Sequence, residues 1–456
     1  MTLRAQVLKT HPATLVLASF LLAISMGTLI LKLPISTKAG HIVWVDAVFT
    51  ATSAVCVTGL VVVDTGSYFT TFGQLVILML IQIGGLGVMT VSVALFQWIG
   101  RSVSFRQRMV MQDLFAHTPR EDIFKLVKSI VLLTLGAEVA GAVLLAVYWS
   151  RELPFLQAVY TAAFHSISAF CNAGFSLFSD SMVHYSDDLF LNITMCLLIV
   201  VGGIGFPVLY DLQLWFFKRK NQRLRLSVQT KAVLLTTVVL IVGGGLMFAF
   251  LESQGSLKTA SHYHRITTSL FQAITCRTAG FNTVDIGSLR QSTLAMMILL
   301  MFFGASPGSC GGGVKTTTLA LIAAFTFSRV TRKRRVNMFK KSIPVETVNR
   351  SISLILLSIA VIGLVLFLLL VGETGTCQEV PGKHGSFLGY FFEAVSAFGT
   401  VGLSTGITPE LGAWGKSCIM SMMLIGRMGV LTFAYIIVGT RPTNGMEYSE
   451  ENMMIG

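Results

Sequence analysis

Four short stretches of the chain share one pattern. Residues 392–403 read Phe-Glu-Ala-Val-Ser-Ala-Phe-Gly-Thr-Val-Gly-Leu, a short helix running into a Thr-Val-Gly turn. Such a turn can present successive backbone carbonyls to a cation stripped of its water. One turn cannot surround an ion, but residues 50–60, 165–175 and 271–281 align on the same stretch without gaps. The anchors are Gly59, Gly174, Gly280 and Gly402. Six residues before them stand Ser53, Ser168, Ile274 and Ser396, and five before them Ala54, Ala169, Thr275 and Ala397, so the helix end is mostly small. A large apolar residue follows each anchor: Leu60, Phe175, Phe281 and Leu403. Anchor spacings of 115, 106 and 122 residues are too long for a solenoid and suit a repeat of two long helices with a re-entrant segment between them.

The intervening sequence fits that unit. With 53% hydrophobic and 12% charged residues, and apolar runs of about 20 residues recurring throughout, the chain reads as an integral membrane protein. Its net charge of +13 would suggest nucleic acid in a soluble protein, but the bases are sorted by loop. The amino terminus, the loops around 101–128, 218–231 and 329–350, and Arg441 hold 23 of the 34 basic residues, against nine in the stretches facing the other side. The positive-inside rule therefore predicts a multi-pass protein of the cytoplasmic membrane with both termini in the cytoplasm, its partner the bilayer and not a nucleic acid.

In chain order, the predicted spans are 12–33 and 72–97, 123–149 and 189–217, 230–252 and 291–328, and 346–372 and 412–438. Between them lie pore segments at 44–60, 156–175, 261–281 and 386–403. The expected fold is all-α: four pseudo-repeats of span, pore loop and span, with eight transmembrane helices and four re-entrant segments around a central ion pore. The repeats occupy 1–100, 101–228, 229–343 and 344–440, with a cytoplasmic tail at 441–456. The bare backbone of the pore segments requires protein or water around it, not lipid.

The candidate filter consists of Cys56, Val57, Thr58 and Gly59; Cys171, Asn172, Ala173 and Gly174; Arg277, Thr278, Ala279 and Gly280; and Gly399, Thr400, Val401 and Gly402. Its backbone carbonyls would replace water around the ion. Asp64 and Asp285 each follow a filter glycine by five residues and Asp180 follows by six, and they read equally as acids at a pore mouth or as turn residues. Seven cysteines at odd spacing give no disulfide framework. Cys56, Cys171 and Cys276 read as small buried residues bracing the filter, with a reactive thiol at the narrow point as the alternative.

A third recurrence lies in the second helix of each repeat. Ile83-Gly84-Gly85-Leu86-Gly87, Val201-Gly202-Gly203-Ile204-Gly205 and Ile425-Gly426-Arg427-Met428-Gly429 align, and Phe303-Gly304-Ala305 fits the third. They follow the filter glycines by 24 to 28 residues, about 35 to 40 Å along a continuous helix and less if the loop folds back. The glycines suit helix packing. Arg427 is an ionisable residue inside an apolar run, a functional candidate by default, with snorkelling to the interface as the alternative. The third repeat continues as Gly304, Ala305, Ser306, Pro307, Gly308, Ser309, Cys310, Gly311, Gly312, Gly313, Val314, Lys315. Pro307 and the glycines break a helix there, and a loop at that depth must line a cavity. Residues 304–313 are therefore a candidate gate, with Lys315 and Arg427 as positive charges beside it and a plain kink as the alternative. Gly308–Thr316 narrowly misses the nucleotide-binding loop, because Val314 separates glycine from lysine and no strand precedes. No catalytic constellation stands out, so an enzyme is not expected. Glu138, within a span, is either a proton or ion ligand or a structural acid.

The four degenerate pore loops, the Arg277-Thr-Ala-Gly-Phe281 segment, the glycine-rich break before Lys315 and the Ile425-Gly-Arg-Met-Gly429 helix resemble the Trk/Ktr/HKT superfamily of potassium transporters across essentially the whole chain. The chain looks most like the membrane subunit of bacterial Ktr systems. The resemblance implies potassium as the transported ion, a homodimer with one pore per protomer, and a cytoplasmic ring of nucleotide-binding regulatory subunits of the KtrA/TrkA type on the basic loops. It implies no cofactor in this chain itself, the nucleotide belonging to the partner, and leaves sodium open as an activating ion. It also implies that the broken third-repeat helix gates flow, with Arg427 beside it. Coupled cation symport, with Glu138 as the relay, is the alternative mechanism.

Overall fold

The computed structural model describes residues 12–87, 123–216, 225–258, 261–333, 335–373 and 387–438. The end of the expected 72–97 span, most of the first two basic loops and the 441–456 tail lie outside them. Helix α1 (Pro12–Leu31) leads to α2 (Trp44–Val55) and α3 (Thr71–Leu86). Next come α4 (Ile123–Trp149), α5 (Phe155–Phe170), α6 (Leu189–Ile204) and α7 (Phe206–Phe216). Then follow α8 (Val228–Leu251), α9 (His262–Thr275), α10 (Gln291–Phe302) and α11 (Thr316–Val330). A two-stranded hairpin, β1 (Asn337–Met338) with β2 (Lys341–Ser342), joins α11 to α12 (Val345–Glu373). Helices α13 (Phe387–Gly399), α14 (Ala413–Met428) and α15 (Val430–Val438) complete the described chain.

Long and short helices are buried in opposite ways. In α1, α4, α8 and α12, each long and apolar enough to cross a membrane, only 28% of the spanning stretch is buried. Their outer faces carry Leu22, Leu29, Leu132, Val139, Leu246, Phe250, Leu364 and Phe367, all exposed. Helices apolar all round belong in lipid. The short helices lie at the centre: every residue of α13 from Phe392 to Gly399 is buried. The protein is thus a mainly α-helical membrane protein with the short helices α2, α5, α9 and α13 buried at its middle.

The second helices depart from the sequence expectation. Segments 189–217 and 412–438 read as continuous spans, yet α6 and α7 meet at 99° and α14 and α15 at 102°. The cause is one glycine in each, Gly205 with φ 100° and Gly429 with φ 88°, and α3 ends in the same way at Gly87 with φ 82°. A left-handed residue ends a helix, and glycine enters that conformation without steric cost. The break expected after Gly304 is present, between α10 and α11. Four helices suffice to cross by length and composition, or six if each bent pair is one span. The expected eight include the shorter α3, α10 and α11.

These helices also turn back against the short ones, so the glycine rows sit beside the turns instead of far along the helix. A Cβ on Gly84 would overlap the Val55 carbonyl, one on Gly202 that of Phe170, and one on Gly426 that of Phe398. Each carbonyl lies at the equivalent place, four residues before an anchor glycine. Small residues let helices approach to backbone contact in a membrane, and here the contact fixes the ends of α2, α5 and α13. An ion pair at 2.8 Å between Lys416 on α14 and the half-buried Asp46 on α2 ties the last part of the chain to the first.

Candidate ion pathway

Each short helix stops in the same strained turn. The residue two before each anchor is left-handed although it is not glycine: Val57 (φ 56°), Asn172 (57°), Thr278 (72°) and Thr400 (50°). The anchors follow with φ of 89°, 70°, 79° and 92°. A non-glycine residue there costs about 1–3 kcal/mol and persists only where its surroundings fix it. The helix supplies the fixing. Ser53 accepts from Thr58 N at 2.8 Å through its carbonyl and from Gly59 N at 3.1 Å through its hydroxyl. Ser396 does the same for Val401 N and Gly402 N, at 2.8 and 3.2 Å. The Ser168 carbonyl accepts from Ala173 N at 2.8 Å, and its hydroxyl donates to Phe175 O at 2.7 Å. In the third turn, where Ile274 replaces serine, the next residue takes over. Thr275 accepts from Ala279 N at 2.9 Å and donates its hydroxyl to Phe281 O at 2.5 Å.

The turns close a ring in chain order. A Cβ on Gly59 would overlap Ala173 O, and one on Gly174 would stand 3.0 Å from Ala279 O. One on Gly280 would overlap Val401 O, and one on Gly402 would overlap Thr58 O. Each anchor therefore meets the carbonyl that precedes the next anchor, with room for a hydrogen atom only. On one side the ring opens into a cavity of about 370 Å³ lined by all four glycines, with Asp64 and Asp285 in its wall. Both acids also build turns: Asp64 accepts from Gly66 N at 2.9 Å and Asp285 from Gly287 N at 3.0 Å. Both acids thus cap their turns and also line the cavity. Asp180 instead accepts from His184 N at 3.2 Å.

On the other side, residues 304–315 fold across the underside of the turns. Gly312 N donates to Thr400 Oγ1 at 2.7 Å; a Cβ on Gly311 would overlap the Thr278 hydroxyl, and one on Gly313 would lie 3.1 Å from Gly399 Cα. The loop is also bonded to the helix breaks. Phe206 N donates to Gly308 O at 2.9 Å, Ser306 N to Gly203 O at 3.4 Å and Gly313 N to Gly426 O at 3.3 Å. Its ends meet through Val314 N to Phe302 O, 3.2 Å, and Thr316 N to Ala305 O, 2.9 Å, which a plain kink would not produce. Arg427 does not snorkel: its guanidinium donates to Cys310 O in the loop and to Gly84 O at the end of α3. Lys315 Nζ reaches back to Gly311 O at 2.9 Å. Both cations thus bind loop carbonyls directly.

The chain has clear relatives among known proteins. The family described as TrkH, cation transport protein, matches residues 3–444. This chain belongs to that family. It is 38% identical over 447 residues to the Ktr system potassium uptake protein B of Vibrio alginolyticus, covering 97% of this chain and 94% of the relative. The protein of the same name from Bacillus subtilis (strain 168) is 36% identical, with 98% and 97% covered. The potassium/sodium uptake protein NtpJ of Enterococcus hirae is 33% identical, with 98% of each covered. The fold is similar to the crystal structure of the potassium transporter TrkH from Vibrio parahaemolyticus, with a TM-score of 0.70 at 19% identity over 93% of this chain and 84% of that one.

In this TrkH-family chain the remaining candidates lie behind the turns. Arg277 is buried and donates to Thr237 Oγ1 of α8 at 3.1 Å. Cys56, Cys171 and Cys276 are buried and form no disulfide. Glu138 accepts from Gln82 Nε2 at 3.2 Å and from the Cys171 thiol at 3.8 Å. Sequence reasoning missed the clamps on the outer loops. Glu393, fully inside α13, accepts from Thr405 N at 2.8 Å and from the hydroxyls of Ser404 (2.7 Å), Thr405 (3.2 Å) and Thr408 (2.6 Å). Gln74 Nε2 donates to the carbonyls of Thr65, Gly66 and Phe69, and Asn192 Nδ2 to those of Tyr185, Ser186 and Asp188. An acid inside an apolar helix next to one of the four turns is the signal that could have revealed Glu393. Glu393→Ala leaves four donors without an acceptor and is expected to cost about 3 kcal/mol. Glu393→Gln keeps one oxygen and faces its new amide NH2 to a hydroxyl that can reorient, and is expected to cost about 1 kcal/mol. Thermal unfolding of the detergent-solubilised protein separates the two, and equal losses would refute the clamp.

Proposed function

We propose that this protein is a potassium uptake pore of the cytoplasmic membrane, driven by the membrane potential. The observation that carries the proposal is the closed ring of four anchor glycines over the loop 304–315, each anchor against a neighbouring carbonyl. Four units, at 1–100, 101–228, 229–343 and 344–440, each contribute span, pore segment and span. The carbonyls of residues 56–59, 171–174, 277–280 and 399–402 take the place of water around the ion. Residues 304–313, held by Lys315 and Arg427, form the gate. A potential of 100 mV is worth about 2.3 kcal/mol per charge, enough to draw potassium inward without a chemical cycle.

The names of the relatives support potassium as the ion, and that of NtpJ keeps sodium in view as an activator or second cargo. The word "system" in the Ktr names supports a regulatory partner, here a nucleotide-binding ring on the basic cytoplasmic loops beneath a homodimer. Both termini face the cytoplasm in this arrangement.

Rubidium uptake into potassium-loaded liposomes holding the purified chain tests the pore. Uptake that rises with potential and stops when the potential is collapsed is the expected result. A silent preparation that awakens on addition of a cytoplasmic partner leaves the pore intact; silence in both conditions would overturn it. The closeness of Glu138 to the second turn favours examining symport in the same vesicles. Proton flux that accompanies uptake and vanishes in Glu138→Gln would replace passive passage by coupling.

A further inference from the structure

The hairpin between α11 and α12 forms a basic cavity that the transport pathway does not use. Eight basic residues and one acid, Glu346, fall within 329–350. The acid pairs with Arg350 at 2.6 Å. A cavity of about 380 Å³ lies between the end of α11, the hairpin and the first turns of α12. Arg329 and Arg335 line it together with Ser342 and Asn349, and Phe325 and Val348 supply an apolar wall. Among the described residues neither arginine has an ion pair. The guanidinium of Arg329 stands over the Phe325 ring at 5.1 Å, which sets its plane while leaving its donors available. The hairpin is closed by Ile343 N to Val336 O at 2.9 Å, and Val336, Val348 and Leu321 form a small core beneath it.

The level of the cavity identifies the ligand. Its floor is the start of α12, whose residues 345–372 are long and apolar enough to cross a membrane, so the cavity sits where the hydrocarbon ends. Phe327, Val330 and Val345 are exposed beside it, 64%, 76% and 66% respectively. A site with two unpaired arginines, polar donors and exposed apolar flanks matches a phosphate headgroup on acyl chains. Arginine binds phosphate through two parallel donors, and basic pockets at the cytoplasmic ends of spans attract anionic lipid.

We infer that Arg329 and Arg335 bind the phosphate headgroup of an anionic phospholipid of the inner leaflet, with its acyl chains along α11 and α12. The leaflet assignment rests on the orientation proposed above; binding of the headgroup does not. The test is native mass spectrometry of the full-length protein, delipidated in detergent and titrated with phosphatidylglycerol or phosphatidylcholine. Phosphatidylglycerol is expected to bind at least about tenfold more tightly than phosphatidylcholine. Arg329→Ala with Arg335→Ala is expected to weaken it about tenfold, while Arg329→Lys with Arg335→Lys, which keeps the charge but loses the paired donors and the stacking, is expected to weaken it by a smaller factor. Equal affinity for the two lipids, or an unchanged double alanine variant, overturns the site. Displacement by an equal concentration of inorganic phosphate overturns the lipid and leaves a phosphate site. Binding of an acidic soluble partner that the alanine pair abolishes while lipid binding persists overturns it in favour of a protein contact. Rubidium uptake by the same preparations reports on the pore separately, since lipid is counted without any flux.

Discussion

Gly402→Ser is expected to lower the preference for potassium over sodium by at least about tenfold, equivalent to about 1.4 kcal/mol. Gly402 has φ 92°, and any Cβ there overlaps the carbonyl of Thr58 in the neighbouring turn. Two costs combine. A side chain in the left-handed region is disfavoured by about 1–2 kcal/mol, and either the Thr58 carbonyl or the whole turn must give way. A carbonyl ring discriminates between ions through the number and placement of its oxygens, so displacement of one quarter acts on selectivity directly. Gly406 separates the two costs. Its φ of 95° is as unfavourable for serine, but nothing lies within 4 Å of a Cβ there. Gly406→Ser is therefore expected to leave selectivity unchanged. Rubidium uptake in competition with sodium, in liposomes holding each variant, gives the comparison. If the two substitutions reduce selectivity alike, backbone strain and not the ring is responsible, and the filter assignment fails.

The second large effect is expected from shortening the loop beneath the ring. Deletion of residues 308–312 should raise basal rubidium flux at least about tenfold in the absence of any partner. The excised residues include Gly308, whose carbonyl accepts from Phe206, Gly312, which donates to Thr400, and Cys310, whose carbonyl accepts from Arg427. Each such bond contributes about 0.5–1.5 kcal/mol net, so removing three shifts a closed-to-open balance by more than one order of magnitude. Arg427→Gln, which removes the charge and shortens the reach to Gly84, should produce a smaller rise of about threefold. A deleted protein that keeps its thermal transition and its wild-type flux would mean that the loop is a structural plug outside the ion path.

Local spacing carried much of this architecture. A serine six residues before a glycine, a small helix end and a large apolar residue after it describe contacts made within one helix and its own turn, so they survive in the linear order of residues. The long outer helices were equally legible, because lipid demands apolar residues over about 20 positions whatever the neighbours are. Their positions agree with the sequence expectation to within a few residues. Pro307 marked one break because proline disrupts a helix by itself.

Other features depend on what lies opposite. Thr275 takes the bracing role of a serine in the third turn, a shift of one residue that depends on where α9 ends. Gly205 and Gly429 read as packing glycines inside apolar runs, and nothing adjacent in sequence says that they end their helices. At Gly205 the reason is the distant loop: a Cβ would overlap Pro307 O, and the next amide, of Phe206, donates to Gly308 O. Glu393 looks misplaced in an apolar helix until Thr405 and Thr408 fold over it. The sequence by itself determined the membrane class, the outer helices, the four turns and the break at Pro307, since each follows from residues within one turn or one span. Only the tertiary structure decided the ring, the bend at Gly205 and the seat of Arg427, because these join groups more than 100 residues apart.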